Sequence, residues 1–368
     1  MNTIKLKINT KSNKYPILIG SGISSKLLKI LNDNSIKFDK CLLVIDKKIP
    51  KFLINKIIKS LNNKKKIITF FNANEKNKNQ LSVNKILKIL LKNNFTRHDC
   101  LISIGGGITG DVSGFAASIF KRGIKFINIP TTLLAQVDSS IGGKTGVNSS
   151  YGKNLIGSFY QPSLVISDIN FLKTLPRREV VCGYGEILKH SLINDKKFFS
   201  FLDKNASKVL NLKNPFINKA IYKSCLIKKK VVEIDEKEKG LRKILNFGHT
   251  FAHAFESTLK YSKKINHGEA VILGISIASK FSLNINLLSL KEFKIIQDHL
   301  IKYKLPIKLK KFFSSKKISS IVTFMKMDKK NNTEKINLVL LKRIGSPVFH
   351  LDFDSKKLSN FFRRELTN

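Results

Sequence analysis

The chain has 368 residues, of which 42% are hydrophobic, enough for one large domain or two ordinary domains with full cores. Its longest apolar run, 271–278, is far shorter than a bilayer span, which argues against a transmembrane helix. The formal net charge is +43, but only eight of the 68 basic residues are arginines, and the lysines are spread along the whole chain. Since no recognised binding module accompanies the charge, it indicates compositional drift toward A+T-rich codons and does not favour nucleic-acid binding.

The cysteines and the N-terminal segment both favour a cytoplasmic setting. The four cysteines, at positions 41, 100, 182 and 225, are widely separated and form no CxxC pair, so we expect reduced thiols. The first seven residues alternate apolar and polar side chains and lack the apolar core of a signal peptide. We therefore expect a cytoplasmic protein.

The N-terminal half is predicted to form an α/β domain. Residues 2–10 and 16–20 have the pattern of a small β-hairpin. Apolar runs of strand length then alternate with helical patterns such as 83–91, as in βαβ units with a parallel sheet. The predicted strands are 41–45, 67–71, 101–104 and 126–129.

The pattern changes at about residue 175. From there to about residue 303, apolar residues recur at spacings of three and four, which predicts successive helices, and strand-like residues return at 336–341. We therefore predict an α/β domain with a parallel-rich, Rossmann-like sheet over residues 1–175, followed by a mostly α-helical domain over 176–368. The active site is expected in the cleft between these domains.

A glycine-rich turn follows the predicted strand 101–104. Residues 105–111 satisfy the pattern GxGxxG and lead into a helical pattern at 112–120, so backbone amides at a helix start could approach a pyrophosphate. The acidic residue expected about 20 positions further on is absent, because the next strand runs instead into Thr131 and Thr132. The turn thus predicts either dinucleotide binding outside the common Rossmann manner or a plain tight βα connection.

A second polar, glycine-rich loop covers residues 136–148. Lys144 follows a glycine as at the end of a P-loop, but Asp138 occupies the position of the required earlier glycine, so the Walker A pattern fails. Lys144, Lys153 and Asn154 could hold phosphates or hydroxyl groups, and a structural loop is the alternative for each of them.

Glu186 and Lys189 lie three residues apart in a predicted helix and project from one face. The carboxylate could ligate a metal, with the ammonium group beside it for an anionic substrate. The alternative for such a pair is an exposed surface ion pair.

Three of the seven histidines fall within nineteen positions, at 249, 253 and 267. His249 and His253 are four residues apart on one helix face, which by spacing alone suggests that both bind one metal, although buried, hydrogen-bonded histidines are common. His267 adds a third nitrogen from another segment. Two histidines with one glutamate leave open coordination positions, as a catalytic zinc requires.

Several polar residues precede the histidine pair: Lys228, Glu238, Arg242 and Asn246. Lys228 belongs to a run of three lysines, for which a solvated surface is the alternative. Arg242 and Asn246 are four residues apart, so they could face the same way as His249 and contact phosphate or carboxylate groups.

These stretches resemble the 3-dehydroquinate synthase family of sugar phosphate cyclases. The similar segments occur in the family's order and span most of the chain: 105–123, 130–148, 152–162, 172–176, 186–189, 235–253 and 267–270. The resemblance implies a homodimeric lyase that uses NAD and Zn²⁺, or alternatively Co²⁺, to convert 3-deoxy-D-arabino-heptulosonate 7-phosphate to 3-dehydroquinate and phosphate in the shikimate pathway. It further implies transient oxidation by NAD, phosphate elimination, re-reduction and intramolecular aldol closure, with NAD bound by the first domain and metal and substrate by the second.

The resemblance also assigns roles to individual residues. It implies the metal ligands Glu186, His249 and His267, which moves His253 to the substrate side. The implied substrate contacts are Asp138, Lys144, Asn154, Lys189, Lys228, Arg242, Asn246 and His253, with Arg122 reaching from a partner subunit, and we add Glu238 as a candidate. The implied NAD contacts are Glu75, Lys78, Gly107, Ile108, Thr109, Gly110, Asp111, Thr131, Thr132, Lys144, Lys153, Phe171, Leu172, Lys173 and Thr174.

The chain departs from the family pattern at three places, none of which removes a proposed catalytic group. In the family, an acidic residue and a glycine precede the position of Glu75. Ala73 and Asn74 stand there in this chain, which affects one expected contact with a ribose of NAD. Ala252 replaces a glycine before His253, and the residues after Lys228 are both basic.

Three other functions remain as alternatives. A related cyclase would act on another sugar phosphate, and a metal-dependent polyol dehydrogenase would form net NADH. A basic nucleic-acid-binding protein would show steep salt-dependent binding and no phosphate release. The intact set of candidate site residues around Glu186 and His249 argues against the last of these.

Overall fold

The computed structural model describes residues 3–62, 64–327 and 335–367. The strands are β1 (Ile4–Asn9), β2 (Lys14–Gly20), β3 (Lys40–Asp46), β4 (Lys65–Phe71), β5 (Cys100–Gly105), β6 (Lys125–Pro130), β7 (Lys144–Ser149), β8 (Gly152–Phe159), β9 (Leu164–Asp168), β10 (Ile336–Arg343) and β11 (Ser346–Phe353). The α-helices are α1 (Leu27–Asp33), α2 (Lys51–Ser60), α3 (Gln80–Lys92), α4 (Gly107–Ile119), α5 (Arg177–Asn194), α6 (Lys196–Leu210), α7 (Phe216–Ile234), α8 (His249–Thr258), α9 (His267–Asn284), α10 (Leu290–Lys302), α11 (Ile318–Lys326) and α12 (Ser355–Thr367).

Seven strands form one mixed sheet in the order β1-β2-β9-β6-β5-β3-β4. The β1–β2 pair is antiparallel, and the other neighbouring pairs are parallel. Successive residues of β3 enter different cores: Leu43 packs with residues of α1 and α2, whereas Leu42 packs with residues of α3 and α4. Because both faces are covered, the inner strands β3, β5 and β6 are continuous apolar runs, which is why these three could be recognised from the sequence.

The predicted N-terminal elements are confirmed, with small differences at their ends. The hairpin 2–10/16–20 corresponds to β1 and β2, with residue 2 outside the described residues. The four predicted strands correspond to β3, β4, β5 and β6, and the helix at 83–91 lies within α3. Helix α4 begins at Gly107, earlier than the predicted start at 112, because the glycine-rich segment itself forms the first helical turn.

Three further strands in this half were not predicted. Strand β9 lies between β2 and β6, and β7 and β8 pair as a separate antiparallel hairpin. The hairpin is rich in glycine and polar residues, so its sequence lacks the apolar run that identifies the inner strands of the main sheet.

Helices predominate after residue 175, as predicted. Helix α8 packs against α9 and α11, and α10 packs against α9. The predicted strand at 336–341 lies within β10, which pairs with β11 in a two-stranded antiparallel sheet. Among the helices within the described residues, none combines the length and the hydropathy that crossing a membrane would need.

The chain divides into two compact units, and their bounds differ from the single domain boundary predicted at residue 175. The first unit comprises Met1–Val180 and Ile221–Lys237, and the second comprises Val181–Ala220 and Glu238–Asn368. The later segment of the first unit is joined to the earlier one by Glu236, whose carboxylate accepts hydrogen bonds from the Ser12 amide at 3.1 Å and from Gln161 Nε2 at 2.8 Å.

Candidate active site

In the first unit, the glycine-rich turn connects the carboxyl end of β5 to the start of α4. Gly106 caps the helix, and the next residues present the backbone amides of its first turn. The neighbouring strand β6 runs into Thr131, whose amide donates to the Gly105 carbonyl at 2.9 Å, and Thr132 follows it. The predicted cofactor residues of 107–111 and 131–132 are thus brought together at the carboxyl ends of adjacent parallel strands, where open α/β sheets bind ligands.

Lys78 joins two of the predicted segments of the first unit. Its buried ammonium group donates to Asp111 Oδ2 at 2.5 Å and to Asn154 Oδ1 at 2.6 Å. Burial raises the pKa of the Asp111 carboxyl above its usual range, and the charge of Lys78 opposes that shift. The sequence suggested all three residues but not that they contact one another.

Glu75 and Lys153 also lie together, with Nζ 3.4 Å from Oε1 of the exposed glutamate. Asn148 Nδ2 donates to the other Glu75 oxygen at 2.9 Å. Asn74, one of the departures from the family pattern, caps the short 3₁₀ turn at 75–77 by accepting from the Asn77 amide at 2.9 Å. The substitution therefore has a structural role in positioning Glu75.

Lys228 is buried, so the solvated-surface alternative for this lysine is wrong. Its ammonium group donates to the Asp138 carbonyl at 2.6 Å and to Asp138 Oδ1 at 2.7 Å. Asp138 lies in a π-helical turn, Ala135–Ser139, a form that is rare and frequent at functional sites. The buried Lys228 and the half-buried Asp138, both predicted substrate contacts, form one ion pair within the first unit.

The other candidates of this unit are more dispersed. Lys144, at the start of β7, is exposed, and so is Arg122, which has a φ of 64°. In the 3₁₀ segment after β9, the Phe171 side chain packs into the core. Leu172 is likewise buried, whereas Lys173 and Thr174 are exposed.

In the second unit, three helices bring Glu186, His249 and His267 together. Glu186 lies in the middle of α5 and is fully buried, while the two histidines are the first residues of α8 and α9. Their ligand atoms lie within 4.8 Å of one another, with Glu186 Oε1 3.3 Å from His249 Nε2 and 3.8 Å from His267 Nε2. One carboxylate and two imidazoles are a donor set that suits Zn²⁺ or Co²⁺, so these residues fit a catalytic metal.

The electrostatics of this group favour the metal-binding form of His249. The pKa of its imidazole is lowered to about 4: burial is the largest cause, the charge of Lys189 acts in the same direction, and Glu186 opposes both effects. The ring is therefore neutral near pH 7 and offers a lone pair. Lys189 forms an ion pair with Glu186, and both side chains are buried, so the exposed-surface alternative for this pair is wrong.

Two glycines allow the close helix packing on which this geometry depends. Gly248 caps α8 with a φ of 78°, where a Cβ would lie 2.9 Å from the Ile275 amide nitrogen. At Gly268, a Cβ would lie 2.3 Å from the backbone of Cys182, and its amide donates to Cys182 Sγ at 3.2 Å. Helix α9 therefore approaches α5 closely enough to place His267 beside Glu186.

His253 is exposed and is not among the ligand atoms of this group. Its ring centroid lies 5.6 Å from that of His249 and 6.2 Å from that of His267. The interpretation from i, i+4 spacing alone, in which both histidines of α8 bind the metal, is therefore not the arrangement that the helices produce.

The residues before α8 form a 3₁₀ segment, Leu241–Asn246. Because such a helix has about three residues per turn, Arg242 and Asn246 do not share a face by spacing, contrary to the α-helical argument. Asn246 Nδ2 donates to Glu238 Oε1 at 2.9 Å, and Arg242 is buried.

Sequence reasoning missed Glu256, whose Oε2 lies 3.0 Å from His267 Nδ1. The sequence signal that could have identified Glu256 is its position seven residues after His249, which on a helix places the two side chains near the same face. It also missed a buried cluster around His299, which contacts Tyr184 and Asp203.

Comparisons with known proteins match both halves of the chain to one family. The family description "3-dehydroquinate synthase N-terminal" matches residues 68–182, and "3-dehydroquinate synthase C-terminal" matches residues 183–331. The chain is 67% identical to a 3-dehydroquinate synthase of Pelagibacter ubique (strain HTCC1062) over 367 residues, which is 100% of both chains. It is 43% identical to that of Campylobacter concisus (strain 13826), over 95% of each chain.

Solved structures share the fold. A 2-epi-5-epi-valiolone synthase of Streptomyces hygroscopicus subsp. jinggangensis 5008, with NAD⁺ and Zn²⁺ bound, has a TM-score of 0.86 at 23% identity and covers 97% of this chain and 98% of its own. A 2-deoxy-scyllo-inosose synthase complexed with carbaglucose-6-phosphate, NAD⁺ and Co²⁺ has a TM-score of 0.83 at 25% identity, covering 98% and 99%. A probable glycerol dehydrogenase of Sinorhizobium meliloti 1021 reaches 0.67 at 15% identity and covers 95% of each chain, so the fold alone does not separate cyclases from dehydrogenases. The matches to the family descriptions and the identity to the synthases of Pelagibacter ubique and Campylobacter concisus do separate them. On this evidence the chain belongs to the 3-dehydroquinate synthase family.

Proposed function

We propose that this chain converts 3-deoxy-D-arabino-heptulosonate 7-phosphate to 3-dehydroquinate and phosphate. The observation that carries the proposal is the 67% identity to a 3-dehydroquinate synthase over the full chain. The group of one carboxylate and two imidazoles supports it, because the family chemistry requires such a metal site.

Glu186, His249 and His267 would hold Zn²⁺ or Co²⁺, which when bound polarises a substrate hydroxyl as a Lewis acid. Lys189 compensates the charge of Glu186 and places an ammonium group beside the ligands. Since His249 is neutral near pH 7, metal binding does not have to displace a proton from it.

NAD would be held by the first unit, and when bound it supplies reversible hydride transfer. The amides at 107–110 and the hydroxyls of Thr131 and Thr132 are proposed to contact its pyrophosphate, which the start of α4 in this segment supports. The Lys78–Asp111 and Glu75–Lys153 pairs and the 171–174 turn are proposed to hold its remaining groups. We therefore assign NAD binding to the first unit, and metal binding to the second.

The substrate carries a phosphate and a carboxylate, and the candidate contacts are rich in cations. Lys189, Lys228 and Arg242 are buried, where charge-assisted hydrogen bonds to an anion are strong. Lys144, Asn154, Asn246 and His253 are proposed to complete these contacts, with Asp138 and Glu238 holding Lys228 and Asn246 in position. We also propose a cytoplasmic homodimer in which the exposed Arg122 reaches the partner's substrate.

A phosphate-release assay tests this function. The full chain is incubated with the heptulosonate phosphate, Zn²⁺ and NAD⁺ far below the substrate concentration. We expect many turnovers of phosphate release without net NADH, because the cofactor is restored in each cycle. Net NADH equal to product would indicate a polyol dehydrogenase, and release only from another sugar phosphate would indicate a related cyclase.

A further inference from the structure

Glu256 contacts the outer nitrogen of one proposed metal ligand. Its Oε2 lies 3.0 Å from His267 Nδ1, and its side chain is only 10% exposed. We propose that Glu256 is a positioning residue that fixes the orientation and the tautomer of His267. This inference rests on the proposed function, since it presumes that His267 ligates the metal.

The tautomer follows from the chemistry of the two groups. A neutral imidazole carries one N–H, and an ionised carboxylate can only accept a hydrogen bond. When Nε2 ligates the metal, the N–H that remains on His267 is on Nδ1, where Glu256 accepts it. Nε2 then keeps its lone pair, and this is the nitrogen that lies 3.8 Å from Glu186 Oε1.

His267 depends on such a partner more than His249 does. The His249 side chain is 11% exposed and is held by packing, whereas that of His267 is 34% exposed. His249 Nδ1 faces a neutral partner, the Phe247 carbonyl, at the longer distance of 3.3 Å. The anionic Glu256 both restrains the more exposed ring and makes its Nε2 a stronger donor to a cation.

Glu256 itself is placed as a partner and not as a ligand. It lies near the end of α8, while His267 begins α9, so the contact links the two helices that carry the histidine ligands. Its oxygen faces Nδ1, and it does not belong to the group of ligand atoms formed by Glu186, His249 and His267.

The test measures Zn²⁺ affinity of the full chain by competition with a chromophoric chelator, for wild type, Glu256→Gln and Glu256→Ala. We expect affinity to fall by about tenfold to a hundredfold, and less for the glutamine variant, which keeps the shape and a hydrogen-bond acceptor. The matched control is Glu269→Gln, which removes the same charge two residues from His267. Glu269 instead accepts from the Asn266 amide at 2.8 Å, so its loss should leave Zn²⁺ affinity within about twofold of wild type.

The outcomes separate this inference from the proposed function. If wild type binds no Zn²⁺, the proposed metal centre fails and the inference fails with it. If wild type binds Zn²⁺ and releases phosphate, but both Glu256 variants bind Zn²⁺ as tightly, only the inference is overturned. An equal loss in Glu269→Gln would also overturn it, because the effect would then be one of local charge.

A second measurement needs no variant. Nitrogen-15 NMR of histidine-labelled wild type after Zn²⁺ addition reports which nitrogen of His267 carries the proton. We expect a protonated Nδ1 and an unprotonated Nε2. A spectrum with the proton on Nε2 would overturn the proposal even if the Glu256 variants failed to fold.

Discussion

The carboxylate of Glu186 is shared by three neighbours: the ammonium group of Lys189 and the imidazoles of His249 and His267. The consequences of changing these residues differ with their burial. Glu186 is fully buried beside a buried cation, whereas His267 is partly exposed at the start of its helix. Loss of function and loss of stability can therefore be separated at this site.

Replacing His267 with alanine or Glu186 with glutamine removes one metal ligand. We expect either change to lower phosphate release by at least about a hundredfold, equivalent to about 2.7 kcal/mol of barrier, with the fold retained. Glu186→Gln should also lower the unfolding temperature, because it leaves the buried Lys189 without its carboxylate partner. Phosphate release and thermal unfolding followed by circular dichroism check this, and full activity of either variant in metal-free buffer would contradict the metal assignment.

Single residues also show where sequence reasoning stops. Residue chemistry already suggested a metal site of two histidines and one glutamate. The choice of His267 over His253 as the second histidine came from the family resemblance, because spacing within α8 favoured His253. The contact of Glu256 with His267 joins two helices, and no local pattern encodes it. Residue types thus predicted a metal site. Which side chains contact one another in that site depends on how the helices cross, and the sequence pattern does not show this.

At the scale of helices and strands, what could be predicted depended on burial. The inner strands β3, β5 and β6 are buried on both faces and appear as apolar runs, so they were recognised. Strand β9 is also an inner strand and fully buried, but only its first three residues are apolar, a run too short to identify a strand from the sequence. The start of α4 also lies earlier than predicted, because the glycine-rich segment itself forms the first helical turn.

The crossing of α9 and α5 predicts the effect of Gly268→Ala. The added methyl group would meet the Cys182 backbone at 2.3 Å, so α9 must shift and carry His267 with it. We expect a loss of about 1–3 kcal/mol in the free energy of unfolding, together with weaker Zn²⁺ binding. Urea unfolding and chelator competition measure the two effects.

Ala270→Gly provides the comparison for this change. It weakens the same helix by about 1 kcal/mol through backbone propensity but adds no atom near Cys182. Zn²⁺ affinity should therefore stay at the wild-type value. Equal affinities in both variants would show that the close approach does not position His267.

A buried histidine on α10 predicts a pH dependence of stability. His299 Nε2 lies 2.9 Å from the Tyr184 hydroxyl, and Nδ1 lies 3.1 Å from Asp203 Oδ1. Burial lowers the pKa of His299 below its ordinary 6.5, while Asp203 opposes the shift. The unfolded chain therefore takes up a proton near pH 6.5 that the folded chain resists, so stability falls as the pH drops below that value.

His299→Gln should remove this part of the pH dependence. Between about pH 7.5 and about pH 5.5, we expect the free energy of unfolding to fall more in wild type than in the variant. Urea unfolding at both pH values checks the difference. Parallel losses in the two proteins would mean that the pKa of His299 is not lowered by folding.

For the whole molecule, the net charge of +43 bears on how an anionic substrate is captured. A positive potential raises encounter rates, and salt screens it. We expect kcat/KM for the heptulosonate phosphate to fall at least about threefold between about 20 and about 300 mM KCl, with kcat at saturation unchanged. Initial rates of phosphate release measure this, and a kcat/KM that barely responds to salt would reject steering by the lysines.

The return of residues 221–237 to the first unit also affects the order in which the protein can fold during synthesis. When Val180 has left the ribosome, the N-terminal unit still lacks Glu236, which bonds to Ser12, and Lys228, which bonds to Asp138. At typical translation rates this final segment is made about 3 to 11 seconds later. The nascent N-terminal unit therefore remains incomplete while part of the second unit is made. A fragment that ends between the two matched family regions, at residue 182, lacks residues 221–237 and cannot complete the first unit.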